Sequence, residues 1–143
     1  MINLIDTSAA ISASKNGARI SGYATPGIME EIERHYNIYR GKQREITSDV
    51  YKGIKPITCE NDDIRYDAYW TWLASATEKK RTRDPISKPD LEVIAAALHM
   101  AKKDYSVNVM TEDAHISNTI HEMLKLPEYR VLENRIKILK CNA

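Results

Sequence analysis

The chain of 143 residues is long enough for one domain with a single core, and its content of 43% hydrophobic and 29% charged residues excludes global disorder. Its longest apolar run, at about 93–98, is too short to span a membrane, and the N-terminus shows no signal peptide. The net charge of +1 excludes a global field that recruits nucleic acid, so any polyanion must bind to local patches.

Strand and helix patterns alternate along the chain. The chain begins with a predicted strand at 2–5 that leads into a helix cap, followed by a loop or short strand between Gly17 and Gly22 and a helix from Pro26 to about Tyr36. The next predicted elements are a partly helical stretch at 39–55, a short strand at 56–59 and a long helix from Asn61 to about Lys80. The second part continues with a helix that starts at Ser87, a strand at 107–110, a helix from Asp113 to Leu124 and a strand at 129–132. This alternation predicts an α/β fold with a parallel sheet of about 4–5 strands, covered by helices on both faces.

Four acidic residues are predicted to meet at one edge of this sheet. Asp6 ends the first strand, and Asp113 follows the strand at 107–110. Asp90 lies in the first turn of its helix, and Glu31 in the second turn of the helix that starts at Pro26. Ligands of open parallel sheets bind at the carboxyl ends of the strands. Because adjacent carboxylates repel one another, the pattern favours a hard divalent cation, Mg²⁺ or Mn²⁺, as their partner.

Helix geometry and capping leave alternatives for single residues. Glu31 flanks the apolar stripe of its helix, whereas Glu30 points nearly opposite to it, so Glu31 is the preferred acid and Glu30 the second choice. Taken singly, Asp90 also fits a capping box with Ser87, and Asp113 fits a helix cap.

Four short motifs together resemble the PIN domain. They are Asp6-Thr7-Ser8 after the first strand, Thr25-Pro26 ahead of Glu30-Glu31-Ile32, Ser87-x-x-Asp90 at the start of a Leu/Ala-rich helix, and Thr111-x-Asp113 after a strand. No single motif is specific, but their order and spacing are. The resemblance extends over nearly the whole chain, and it implies one domain, residues 1–143, with a Rossmann-like sheet.

The resemblance also implies a function. PIN domains are Mg²⁺- or Mn²⁺-dependent nucleases that usually cleave RNA and leave a 5′-phosphate and a 3′-hydroxyl. By position, the acidic cluster of the family corresponds to Asp6, Glu31, Asp90 and Asp113. Thr111 matches the hydroxyl next to the last acid, and Ser8 the small polar residue after the first. The motifs resemble both the archaeal-type PIN domain of rRNA-maturation endonucleases and the VapC-type toxin ribonucleases.

The remaining expectations concern partners. The basic residues Lys79, Lys80, Arg81 and Arg83 are either a solvated helix end or an RNA-backbone contact, and the same holds for Arg40, Lys42 and Arg44. The expected partners are single-stranded RNA, an antitoxin protein and a second copy of the chain. Cys59 and Cys141 fit a reducing, cytoplasmic compartment and are too few for a zinc ribbon. A catalytically inactive module that binds RNA or protein is the alternative function.

Overall fold

A five-stranded parallel sheet forms the centre of the protein in the computed structural model, which describes residues 1–57 and 87–140. The strands are β1 (Ile2–Ile5), β2 (Gly22–Ala24), β3 (Ile54–Pro56), β4 (Val107–Met110) and β5 (Ile136–Leu139). Their order is β3-β2-β1-β4-β5, and every neighbouring pair is parallel. The central strand is therefore β1, and the predicted α/β fold with a parallel sheet is confirmed.

Helices connect the strands. Those within the described residues are α1 (Thr7–Asn16), α2 (Pro26–Ile38), α3 (Gly41–Tyr51), α4 (Lys88–Lys102) and α5 (Ala114–Met123), together with a 3₁₀ turn at Arg130–Leu132. The predicted starts of α2 and α4 agree with the structure, since each helix has a Thr or Ser N-cap and a proline in its first turn. Both helices begin at the carboxyl edge of the sheet, where β1 also ends.

The core lies between the sheet and the helices that cover it, and α4 contributes many of its residues. Small side chains on this helix, among them Ala95, Ala97 and Ala101, are completely buried, as are Leu4 and Val109 of the two central strands. Alanines allow the helix backbone to approach the sheet closely, so α4 is held in a fixed position relative to β1. The first turn of α4 is thereby placed beside the end of β1.

The prediction of a strand at 129–132 is wrong. The chain forms a 3₁₀ turn at Arg130–Leu132, closed by a hydrogen bond from the Leu132 amide to the Tyr129 carbonyl. Tyr129 and Leu132 are both buried, whereas Val131 is 76% exposed. Apolar residues three apart share one face of a helical turn but not of a strand, which explains the error. The last strand is instead β5, at Ile136–Leu139.

Other predicted elements differ in their bounds. The short strand expected at 56–59 is β3, at Ile54–Pro56, and the partly helical stretch at 39–55 contains the regular helix α3. The long helix predicted from Asn61 to Lys80 lies outside the described residues. None of the described helices is long and apolar enough to cross a bilayer.

We expect Gly53→Ala to destabilise the fold strongly. A Cβ atom at residue 53 would overlap the carbonyl oxygen of Ile20, a backbone atom that moves only if the chain leading into β2 moves. The expected loss of unfolding free energy in urea titrations is at least about 2 kcal/mol.

Gly41→Ala is the matched control. Gly41 has a φ of +60° but no heavy atom within 4 Å of a built Cβ, so only the left-handed backbone is penalised, by about 1 kcal/mol. An equal or smaller loss in Gly53→Ala than in this control would contradict the packing at the start of β2.

Candidate active site

Asp6 is a buried carboxylate at the end of the central strand. Its side chain is 2% exposed, and its backbone N–H donates to the Met110 carbonyl at 3.0 Å, which ties it to β4. The Ser8 hydroxyl and the Thr111 hydroxyl both donate to Asp6 Oδ2, each at 2.8 Å. Hydrogen bonds to a charged acceptor are strong, so the two hydroxyls fix the direction in which this carboxylate points.

The same two hydroxyls join the first turn of α1 to the segment that follows β4. Ser8 Oγ lies 3.2 Å from Thr111 Oγ1 and accepts a hydrogen bond from the Glu112 N–H at 2.9 Å. Thr111 Oγ1 accepts from the Asp113 N–H at 3.0 Å. The position of Asp113 relative to Asp6 is therefore set by a continuous chain of hydrogen bonds.

Glu31 reaches the site from α2. Its Oε2 atom accepts a hydrogen bond from the Thr7 hydroxyl at 2.7 Å, and Thr7 directly follows Asp6. Glu30 is 74% exposed and lies 3.8 Å from Arg34 on the outer face of the same helix. The structure thus places Glu31, and not Glu30, beside the end of β1.

Asp90 is electrostatically linked to the other three acids. Burial is the main cause that raises the pKa of Asp90 to about 6, and a hydrogen bond with Ser87 acts in the opposite direction. The negative charges of Asp6, Asp113 and Glu31 raise this pKa further. The fold therefore brings four carboxylates from four separate segments within electrostatic range of one another.

Two of these acids lie at helix caps, as the alternative interpretation predicts. Ser87 Oγ accepts from the Asp90 N–H at 3.3 Å, and Asp113 Oδ1 accepts from the His115 N–H at 2.8 Å. The capping bonds hold Asp90 in the first turn of α4 and Asp113 at the N-cap of α5, and both helices start at the carboxyl edge of the sheet. The capping role and a place in the acidic site are therefore compatible.

The donor set fits a hard divalent cation by its chemistry. Carboxylate and hydroxyl oxygens are the donors that Mg²⁺ and Mn²⁺ prefer, and the mutual repulsion around Asp90 is the kind that a cation relieves. Within residues 1–57 and 87–140, no three His, Cys, Asp or Glu side chains form a ready-made group of metal ligands.

The sequence predicts no site role for two residues that lie near the acids, Thr7 and Glu92. Thr7 was part of a motif, but nothing in the sequence indicated that its hydroxyl would bind Glu31. Glu92 is 6% exposed, and its Oε1 lies 2.6 Å from where a Cβ on Gly27 would be, so it packs at the contact between α4 and the start of α2. The sequence signal for Glu92 was a charged residue on the buried face of an apolar helix.

The predicted basic contacts fall into two groups. Lys79, Lys80, Arg81 and Arg83 are outside the described residues. Arg44 lies 4.8 Å above the ring of Tyr36, which is more than one helical turn beyond Glu31 on α2. A groove of about 850 Å³ is lined by residues such as Arg19, Asp49 and Lys52, but by none of the four acids. This groove opens at the amino edge of the sheet, away from the acidic site.

No family model and no curated protein matches the sequence. Among solved structures, the chain is similar to VapBC-1 from nontypeable Haemophilus influenzae, with 14% sequence identity, a TM-score of 0.61 and coverage of 100% of both chains. At this identity the similarity establishes the fold alone.

We expect Asp90→Asn to stabilise the cation-free protein in a pH-dependent way. The pKa of Asp90 is about 6 in the folded protein, compared with 3.8 for an unperturbed aspartate such as that of the unfolded chain. The folded state therefore binds the proton of this carboxyl more tightly than the unfolded chain does. The charged carboxylate therefore lowers stability above pH 6 and has no effect below about pH 4. Because the carboxyl is half-exposed, the gain at pH 7 should be only about 1 kcal/mol.

Urea unfolding of wild type and Asp90→Asn at pH 4, 5, 6 and 7 measures this gain. We expect the difference to be largest at pH 7 and to vanish near pH 4. A difference that does not change with pH would show that Asp90 is not subject to the repulsion described above.

Proposed function

We propose that this chain is an endoribonuclease that depends on Mg²⁺ or Mn²⁺ and hydrolyses phosphodiester bonds of single-stranded RNA. The observation that carries the proposal is the arrangement of Asp90, Glu31 and Asp113 around the buried, hydroxyl-fixed carboxylate of Asp6. A fold has no structural need to gather four acids at one edge, since their repulsion lowers stability. A bound divalent cation would neutralise this repulsion and so explains why the four acids are placed together.

The four acids share one role in the proposed site, and hydroxyl groups position two of them. Asp6, Glu31, Asp90 and Asp113 would hold the cation, which supplies Lewis-acid stabilisation of the phosphate and activation of a water. Asp6 is the fixed point because Ser8 and Thr111 hold it from the β4 side. Thr7 orients Glu31 toward the same region. Thr111 is a positioning residue that also ties Asp113 to Asp6.

The place of the site favours a flexible substrate. Among the described residues, the acids lie where strands end and helices begin, at the carboxyl edge of the sheet. The backbone of single-stranded RNA can bend into such a site, whereas a duplex cannot. In this proposal, Lys79, Lys80, Arg81 and Arg83 contribute electrostatic contacts to phosphates, and Arg40, Lys42 and Arg44 are the second candidates.

A toxin-type role is favoured over rRNA maturation. The support is the fold similarity to VapBC-1 along the whole length of both chains, together with the motif resemblance to VapC-type ribonucleases. This role includes an antitoxin protein as partner and a homodimer as the active form. A small antitoxin gene immediately upstream of this one would support the role, and growth arrest on expression that such a neighbour reverses would test it.

Asp6→Asn is expected to abolish cleavage without unfolding the protein. Loss of an outer partner of a metal ligand typically costs about 10–100-fold in activity, so loss of a ligand charge should cost more than about 100-fold. Removal of one negative charge also relieves repulsion, so the cation-free stability should be unchanged or higher. Cleavage of a mixed single-stranded RNA pool with Mn²⁺, together with urea unfolding, measures both effects.

Asp49→Asn is the matched control, since Asp49 is an exposed acid on α3 that pairs with Lys52 and lies far from the site. This variant should retain full activity. If Asp6→Asn cleaves as well as wild type, the nuclease proposal is wrong. If the wild type binds RNA but does not cleave it, the inactive binding module is the better interpretation.

Cation binding is also expected to raise the melting temperature. A site that binds Mg²⁺ or Mn²⁺ only in the folded state stabilises the protein by mass action, by about 2.7 kcal/mol at 100 times the dissociation constant. For a chain of this size the corresponding shift is roughly 8–14 °C. The melting temperature should rise continuously across a Mn²⁺ titration, and removal of the Mn²⁺ with EDTA should reverse this rise. A constant melting temperature at cation concentrations that support turnover would exclude the acids as the binding site.

A further inference from the structure

Thr25 has a buried hydroxyl that the described part of the fold does not use. The residue is 0% exposed, and its Oγ1 has no hydrogen-bond partner among the residues that the structure describes. It occupies the N-cap position of α2, where a threonine hydroxyl normally accepts from the helix N-terminus, yet its side chain makes no capping bond. Burial of an unpaired hydroxyl is unfavourable, and valine would fill the same volume without this cost. The hydroxyl therefore requires an explanation other than packing.

The sheet register places Thr25 directly beside Asp6. Leu4 of β1 pairs with Tyr23 of β2, so two residues later Asp6 lies opposite Thr25. Both residues keep the extended backbone of their strands, with φ and ψ of −90° and 159° at Asp6 and −69° and 162° at Thr25. Residues opposite one another on neighbouring parallel strands project to the same face of the sheet, so the Thr25 and Asp6 side chains share one face.

Asp6 therefore has a threonine on each side. On the β4 side, Ile5 pairs with Met110, which places Thr111 opposite Asp6, and the Thr111 hydroxyl donates to Oδ2 at 2.8 Å. On the β2 side, Thr25 occupies the equivalent position. Neighbouring strands are about 4.8 Å apart on both sides, so the spacing that lets Thr111 reach the carboxylate also applies to Thr25. The difference is that one threonine is engaged and the other is not.

We propose that Thr25 is a positioning residue of the acidic site, whose hydroxyl donates to the Asp6 carboxylate when the site holds its divalent cation. This inference rests on the proposed function. The hydroxyl bonds of Ser8 and Thr111 hold Oδ2, and a third donor from β2 would fix the carboxylate from the opposite side. Because the Thr25 hydroxyl is unpaired without the cation and paired with it, it favours the bound state and raises the affinity.

The test compares three variants in the complete chain with Mn²⁺ as the probe. Thr25→Val keeps the shape and replaces the hydroxyl with a methyl group, and Thr25→Ser keeps the hydroxyl. Thr119→Val is the control, because Thr119 is equally buried but its hydroxyl is already used, donating to the His115 carbonyl at 2.7 Å. Two quantities are measured, the unfolding midpoint in urea without cation and the Mn²⁺ concentration at half of the melting-temperature rise.

Thr25→Val should be at least as stable as wild type without cation, and its Mn²⁺ midpoint should be at least about 10-fold higher. Thr25→Ser should restore the wild-type midpoint. Thr119→Val should lose stability without cation and keep the wild-type Mn²⁺ midpoint. This opposite pattern in two buried threonines is not expected from a purely structural hydroxyl.

Two results would overturn the inference while leaving the proposed function in place. One is a Thr25→Val protein with the wild-type Mn²⁺ midpoint. The other is a Thr25→Val protein that is clearly less stable than both wild type and Thr25→Ser without cation, which would show that the hydroxyl has a structural partner. A wild-type protein whose melting temperature does not respond to Mn²⁺ would refute the proposed function, and this inference with it.

Discussion

The buried carboxylate of Asp6 is the constraint on which the proposed site depends. A charged group that is 2% exposed must be compensated, and here Ser8 and Thr111 supply two hydroxyl donors to the same oxygen. These donors come from the first turn of α1 and from the segment after β4, so the bonds to one carboxylate also fix these two segments to each other. Asp113 is part of the same chain of bonds through its own N–H. The hydrogen bonds that compensate the buried charge of Asp6 therefore also position Asp113 in the proposed site.

The other acids are held by different means, and the electrostatic balance reflects this. Glu31 is oriented by the Thr7 hydroxyl, and Asp90 by the cap of α4 and by the packing of that helix on the sheet. Burial and the charges of its neighbours raise the pKa of Asp90 to about 6. Without a cation, the burial and mutual repulsion of these carboxylates therefore lower the stability of the fold, and the hydrophobic core must offset this loss. Such a trade between stability and function is typical of sites built for binding charge.

The sequence predicted the fold best where local signals and tertiary structure agree. A β-branched run ending at Asp6 and a Ser-x-Pro-Asp start at Ser87 are each strong signals, and the structure has a strand and a helix in those places. The prediction failed at 129–132 because Tyr129 and Leu132 are buried on one face of a helical turn. A short apolar run does not by itself distinguish such a turn from a buried strand. The bonds from Thr7 to Glu31 and from Thr111 to Asp6 join residues that are distant in sequence, so only the fold reveals them. The unpaired hydroxyl of Thr25 is likewise invisible without coordinates.

The measurement that tests the central claim most directly is an end-group analysis of RNA incubated with the protein and Mn²⁺. Hydrolysis by a water activated in a cation site is expected to leave a 5′-phosphate and a 3′-hydroxyl, and chelation with EDTA should stop the reaction. Products that carry a 2′,3′-cyclic phosphate and form equally well in EDTA would show that the 2′-hydroxyl attacks without a cation. That result would contradict the assignment of the four carboxylates to a cation-dependent nuclease site.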